Sequence, residues 1–233
     1  MLFFMICFAS TAFAEGYNVG RGGYRADLLD DSSERILFIL DFSGSMVEKI
    51  NGTPKVDLML QTMREILSQI PPETSVGLRV YGHRMAVTPF DACRASSLIN
   101  PIMPGNTSNI AMALDTVRPR GMTPITFSLK QAVRNDFLGF NGKKHIILLT
   151  DGGENCDESP CKYAMELVQV RKDIFIDVIA FNIDNSEDLA QLECAALVTS
   201  GRFYNANTAA ELAKSLQNSV KPKKTVEAWI VPN

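Results

Sequence analysis

The stretch RILFILDFSGS, residues 35–45, decides how this chain folds. Ile36 to Leu40 form an unbroken apolar run bounded by Arg35 and Asp41. A short continuous run of this kind fits a strand covered on both faces, as in a parallel sheet. It closes on Asp41-Phe-Ser43-Gly-Ser45, a carboxylate and two hydroxyls placed where the strand hands over to a loop.

Working outward, the same grammar recurs. HIILLT (145–150) is a second buried run, and it too ends on a polar loop, Asp151-Gly-Gly-Glu154. Further strands are expected over 76–81, 95–100, 174–181 and 202–204. Between them lie helical patterns: 55–69, with Val56, Met59, Leu60, Met63, Ile66 and Leu67 on one face and Pro71-Pro72 as a stop, then 108–117, 124–137, 161–171, 187–198 and 208–220. Asn106, Thr107 or Ser108 can cap the second of these. Strands alternating with helices imply βαβ units: an α/β fold whose central sheet is mostly parallel and covered on both faces.

Composition narrows the class. The chain has 233 residues, 46% apolar and 21% charged, which excludes disordered and fibrous types and allows a sizeable core without metal or disulfide support. A net charge of -3 gives no basic face for nucleic acid. Residues 1–14 (MLFFMICFASTAFA) are apolar and end on a small-x-small site, as a secretory signal peptide does, although no Lys or Arg precedes the run. The run is too short to span a bilayer, and nothing else approaches that length. Residues 15–33 read as an N-terminal arm, 34–220 as the folded domain, and 221–233 as a linker or tail that includes a possible strand over 225–231.

Removing residues 1–14 removes Cys7 and leaves Cys93, Cys156, Cys161 and Cys194. Four cysteines in an exported, secreted or periplasmic protein suggest two disulfides. Cys93–Cys156 with Cys161–Cys194 is one pairing; a local Cys156–Cys161 bridge is another. Zinc is disfavoured, because no second close Cys pair or neighbouring His completes a tetrahedral set.

In open parallel sheets ligands gather at the carboxyl ends of the strands. Asp41, Ser43 and Ser45 follow the first strand and Asp151 follows the fourth; Thr123, in Gly121-Met-Thr-Pro124, sits in a loop returning to the same edge. Two carboxylates and three hydroxyls form a hard oxygen set suited to Mg²⁺ or a similar ion. Gly44 and Gly152-Gly153 are expected to let these loops turn tightly.

With those residues in place, the chain resembles the von Willebrand factor type A family, shared with integrin I domains, over most of its length. The family's metal-ion-dependent adhesion site, Asp-x-Ser-x-Ser with a later Thr and Asp, matches Asp41, Ser43, Ser45, Thr123 and Asp151. The resemblance implies a Rossmann-like doubly wound sheet of roughly six strands. It also implies Mg²⁺ (or Mn²⁺ or Ca²⁺) touched by the three hydroxyls, with both Asp acting mainly through water. Such an ion accepts an Asp or Glu carboxylate from a protein partner. The same site in a structural or assembly module of a larger envelope complex would be filled by a neighbouring subunit. His83 and Arg84, after the second strand, and Glu154 are candidate partner contacts.

Enzyme readings find little purchase. No Gly-x-Ser-x-Gly elbow and no Gly-x-x-x-x-Gly-Lys loop occurs. Asp41 opening a post-strand loop is similar to the haloacid-dehalogenase phosphatases, but those carry a second Asp where this chain has Ser43. The expectation is a binding domain without catalytic residues.

Overall fold

The structure, a computed structural model, describes residues 34–221. The expected signal peptide, the expected N-terminal arm and the strand expected over 225–231 lie outside the described residues.

The run that opens the sequence argument is the central strand β1, Arg35–Asp41, buried at every position. After it come a turn of 3₁₀ helix, a two-residue hairpin (β2, Lys49–Ile50; β3, Thr53–Pro54) and helix α1, Lys55–Leu67. Strand β4 is Ser75–Tyr81, α2 Pro89–Ala92, β5 Ser96–Met103 and α3 Thr107–Leu114. The second half contains α4, Ile125–Gln131, β6, Lys144–Thr150, α5, Pro160–Val170, β7, Ile174–Phe181, α6, Ser186–Val198, β8, Phe203–Ala206, and α7, Ala209–Ser219.

Six strands form one sheet in the order β5-β4-β1-β6-β7-β8. All neighbours are parallel except β5, which runs against β4. The sheet is therefore doubly wound, Rossmann-like and mostly parallel, as expected. Strands β4 and β5 are joined by loop 82–95, whose only helix is four residues long, in place of the long crossover helix that usually links parallel neighbours.

Side chains alternate across β1. Ile36, Phe38 and Leu40 pack with Met59 and Met63 of α1, Ile110 and Leu114 of α3, and Leu212 and Leu216 of α7. Leu37 and Ile39 face the other layer, with Ile125 and Leu129 of α4, Leu167 of α5 and Leu192 of α6. The strand order turns from one side to the other between β1 and β6, so the topological switch point lies where Asp41 and Asp151 emerge.

Two buried polar clusters fix the layers. Arg79 of β4 holds Asp136 through two bonds of 2.6 and 2.7 Å. Asp136 is delivered by a turn of π-helix, Ala132–Asp136, that widens the end of α4, where the sequence pattern suggested a plain helix to residue 137. Asp177 of β7 accepts from Arg202 Nε (2.7 Å) and Ser219 Oγ (2.6 Å), and Arg202 also caps the last carbonyls of α7. Helix α7 begins on a capping box of Thr208 and Glu211.

The disulfides are Cys93–Cys156 and Cys161–Cys194, with Cα atoms 5.5 and 5.2 Å apart; the local bridge is not formed. The second joins α5 to α6, and the first ties loop 82–95 to the loop after β6. Among the described residues no helix is long and apolar enough to cross a membrane. These features are compatible with an extracellular protein.

Candidate metal centre at the carboxyl edge of the sheet

Strands β1 and β6 pair side by side, so the residues that follow them are forced together. Asp41 is fully buried at the floor of the cleft. One carboxylate oxygen accepts the Ser43 amide at 2.7 Å, and the other accepts the Thr150 hydroxyl at 2.8 Å. The first bond folds the chain back after the strand and aims the two serines along one edge. Ser43 Oγ and Ser45 Oγ lie 3.0 Å apart, and Ser45 Oγ donates to Asp151 Oδ1 at 2.7 Å.

Thr123 reaches the same edge through backbone pairing. Ser43 and Gly121 form a bridge, with Gly44 N donating to Gly121 O at 2.9 Å. Asn155 Oδ1 accepts the Thr123 amide at 2.7 Å, which links this loop to the one carrying Asp151. All five expected residues are thus drawn from three loops to one edge.

The glycine the site depends on is Gly82, which the sequence did not single out. Its φ is +67°, and an added Cβ would lie 2.6 Å from Ser43 N. Gly44, Gly152 and Gly153, expected to let these loops turn tightly, have no positive φ. Gly153 instead makes room for Asp188, whose Oδ1 would sit 2.0 Å from an added Cβ.

Lys55 was also missed. It is the first residue of α1, where the helix dipole disfavours a cation, and it is buried. Its ammonium sits 3.0 Å from Asp151 Oδ2 and 2.8 Å from Glu48 Oε2. Burial works against the charged form, but the pairing with Glu48 and Asp151 prevails and raises its pKa. No sequence period marks it, because its role depends on a contact 96 residues away.

Electrostatics shows what the cleft lacks. Burial, and then the charge of Asp151, push the Asp41 carboxyl up from 3.8 to about 6. Burial and the Asp41 charge likewise hold the Tyr81 phenol well above its usual range. Two carboxylates are gathered here against one ammonium that both Asp151 and Glu48 share, so the cleft favours a further positive charge.

The donor set fits a small divalent cation. Adjacent ligands around an octahedral ion at 2.0–2.1 Å lie about 3 Å apart, which is the separation of the two serine hydroxyls. Among the described residues no three His, Cys, Asp or Glu side chains gather as a metal group. The donors are hydroxyls backed by two carboxylates.

Of the expected partner contacts, Arg84 is exposed. His83 beside it is partly covered, and burial together with the Arg84 charge lowers its pKa to about 4, leaving the imidazole neutral at pH 7. Glu154 is turned inward: its oxygens accept the Thr126 amide at 2.7 Å and the Cys156 amide at 3.1 Å. Burial raises its pKa. It starts α4 and shapes the loop, so Arg84 is the one of the three that faces solvent fully.

A doubly wound sheet with this hydroxyl-and-carboxylate constellation at its switch point defines a class, and residues 36–219 match the von Willebrand factor type A domain; the chain belongs to that family. It is 28% identical over 212 residues to the uncharacterized protein YwmD of Bacillus subtilis, covering 88% of this chain and 92% of that one. It is 30% identical to YwmC of the same organism, covering 77% of this chain and 79% of that one. Among solved structures it resembles proximal thread matrix protein 1 from the mussel byssus, with a zinc-occupied MIDAS motif. There the TM-score is 0.62 and the identity 22%, with 81% of this chain and 45% of that one covered, so it spans less than half of the mussel protein.

Proposed function

We propose that the chain is an exported binding domain that docks an acidic side chain of a protein partner on a divalent cation, Mg²⁺ by preference. The carrying observation is the 3.0 Å contact of Ser43 and Ser45 hydroxyls, extended by Ser45 to Asp151. Ser43, Ser45 and Thr123 would hold the ion, with Asp41 and Asp151 behind them. A bound Mg²⁺ or Mn²⁺ would supply an electrophilic position open to an anionic oxygen. The protein's part is orientation: Thr150 and the Ser43 amide fix Asp41, and Lys55 fixes Asp151. Neutral hydroxyl ligands leave much of the ion's charge for the partner. The zinc-occupied motif of the mussel protein supports the choice of a divalent ion, and the two disulfides support export.

We further propose that the site is not catalytic: the carboxylate that accepts the Ser45 hydroxyl is engaged by the Lys55 ammonium, which weakens it as a base for a serine nucleophile.

Isothermal titration calorimetry with MgCl₂ and MnCl₂ after EDTA treatment tests the reading. We expect saturable binding that Ser45→Ala weakens and Asp41→Asn abolishes. No heat at millimolar metal, with the protein folded by circular dichroism, would overturn it.

A further inference from the structure

Loop 82–95 is closed at its base by Gly82 N donating to Ala95 O at 3.0 Å, the form of an Ω-loop. Residues 84–91 are all exposed. Three of them are large and apolar: Met85 is 80% exposed, Val87 98% and Phe90 63%. Stability gives no reason to display these side chains in water, and clustered exposed apolar groups mark interaction surfaces.

The loop is built into the metal edge. Gly82 packs against the backbone of Ser43, and Arg84 O would lie 3.0 Å from a Cβ on Gly121. Arg120 N donates to Gly82 O at 2.9 Å. At its far end Cys93 is bonded to Cys156, next to the Asn155 that holds Thr123. Between these anchors the loop encloses a concavity of about 350 Å³, lined by Arg84, Met85, Val87, Asp91 and Arg94 among others. That volume suits one or two side chains.

Charge selects the occupant. Arg84 and Arg94 stand exposed in the loop, and Arg120, whose amide donates to Gly82 O, is exposed beside it. Asp91, the acid lining the concavity, is occupied within the loop by the Thr88 hydroxyl at 2.7 Å. Arg94, which lines the concavity, lies over the neighbouring Phe90 ring, 3.5 Å from its centroid.

We infer that loop 82–95 is the second half of the ligand surface: a pocket for an apolar side chain of a partner segment whose neighbouring Asp or Glu sits on the ion. The inference rests on the metal-docking reading above and adds the partner's composition: acidic, with an apolar residue close to the acid. The disulfide keeps pocket and metal edge in fixed register, so one short segment spans both.

The test is selection of a displayed library of random 12-residue peptides on the immobilised protein in MgCl₂, eluted with EDTA. It is run on the wild type, on Met85→Ser/Val87→Ser/Phe90→Ser, and on Arg84→Glu/Arg94→Glu. All substituted side chains are exposed; both variants should keep wild-type thermal stability, and the serine variant should keep wild-type Mg²⁺ affinity. The expected wild-type eluate is enriched in peptides pairing Asp or Glu with a nearby Leu, Phe, Ile or Met. Resynthesised winners should lose roughly tenfold or more in affinity on the serine variant, the loss of one well-buried apolar side chain, and again on the glutamate variant. An eluate enriched in acids alone, identical on the serine variant, overturns the pocket and leaves the metal site standing. An empty EDTA eluate from a protein that binds no Mg²⁺ overturns both. Cation-independent cosedimentation with anionic phospholipid vesicles, abolished in the serine variant, would make the loop a membrane contact and overturn the pocket.

Discussion

Replacing Asp41 by Asn should stabilise the metal-free protein at neutral pH while removing its response to metal. Asp41 is fully buried, and its carboxyl is raised from 3.8 to about 6 by burial and then by Asp151. Between those values the folded chain holds a proton that the unfolded chain has released. Stability therefore falls as pH rises through that window, is fully retained below about pH 4, and is lost above about pH 6. The difference corresponds to about 3 kcal/mol. An Asn at this position carries no charge to desolvate. Its oxygen can still accept the Ser43 amide, and its amide can donate to Thr150 Oγ1. It also sets a donor against the Asp151 amide, now 3.4 Å from the carboxylate, at a cost of about 1 kcal/mol. The net gain near pH 7 is about 2 kcal/mol, or roughly 4–8 °C in Tm for a domain of this size. Thermal unfolding followed by circular dichroism in EDTA, at pH 4 and pH 7, measures it. The variant should melt higher at pH 7 and lose that advantage at pH 4. Adding 10 mM MgCl₂ at pH 7 should raise the wild type alone. A variant that melts at or below the wild type in EDTA at pH 7, or a difference insensitive to pH, refutes the argument.

Lys55→Met removes the ammonium 3.0 Å from Asp151, so Mg²⁺ affinity by calorimetry should rise about tenfold while Tm in EDTA falls; an unchanged affinity would show that Lys55 does not compete with the ion. Asp136→Asn breaks the buried pair with Arg79 and should cost about 3–5 kcal/mol in urea unfolding, with Arg79→Met/Asp136→Leu recovering much of it. Non-reducing peptide mapping by mass spectrometry should recover linked fragments for Cys93–Cys156 and Cys161–Cys194; a Cys156–Cys161 fragment would contradict the tie between loop 82–95 and the metal edge.

Element types were legible because β1 and β6 carry unbroken apolar runs and the long helices carry a 3.6-residue stripe. Those are local signals, and α1 and β6 follow them closely. The exceptions are places where a distant partner decides. Strand β5 continues to Met103 through Pro101, because an edge strand tolerates a missing donor. The end of α4 opens into a π turn, which brings Asp136 to Arg79 on the neighbouring strand. Residues 89–92 form a helical turn capped by Thr88, a feature too short to carry a period.

The five residues proposed to hold the ion could be picked out because they sit in three short polar motifs, but sequence did not reveal the electrostatics of the cleft they share. Sequence places Asp41 at a strand end, which suggests a solvated rim; the pairing of β1 with both β4 and β6 encloses it completely. That enclosure turns a ligand set into an electrostatic demand. A rim carboxylate would be content with water, whereas Asp41, cut off from solvent and facing Asp151, is relieved only by a proton or a cation. Lys55 answers part of the demand, but its ammonium is divided between Glu48 and Asp151. The hydroxyl edge above Asp41 is where the remaining positive charge belongs. A cation held there by the neutral hydroxyls would keep much of its charge for an anionic oxygen from outside the chain.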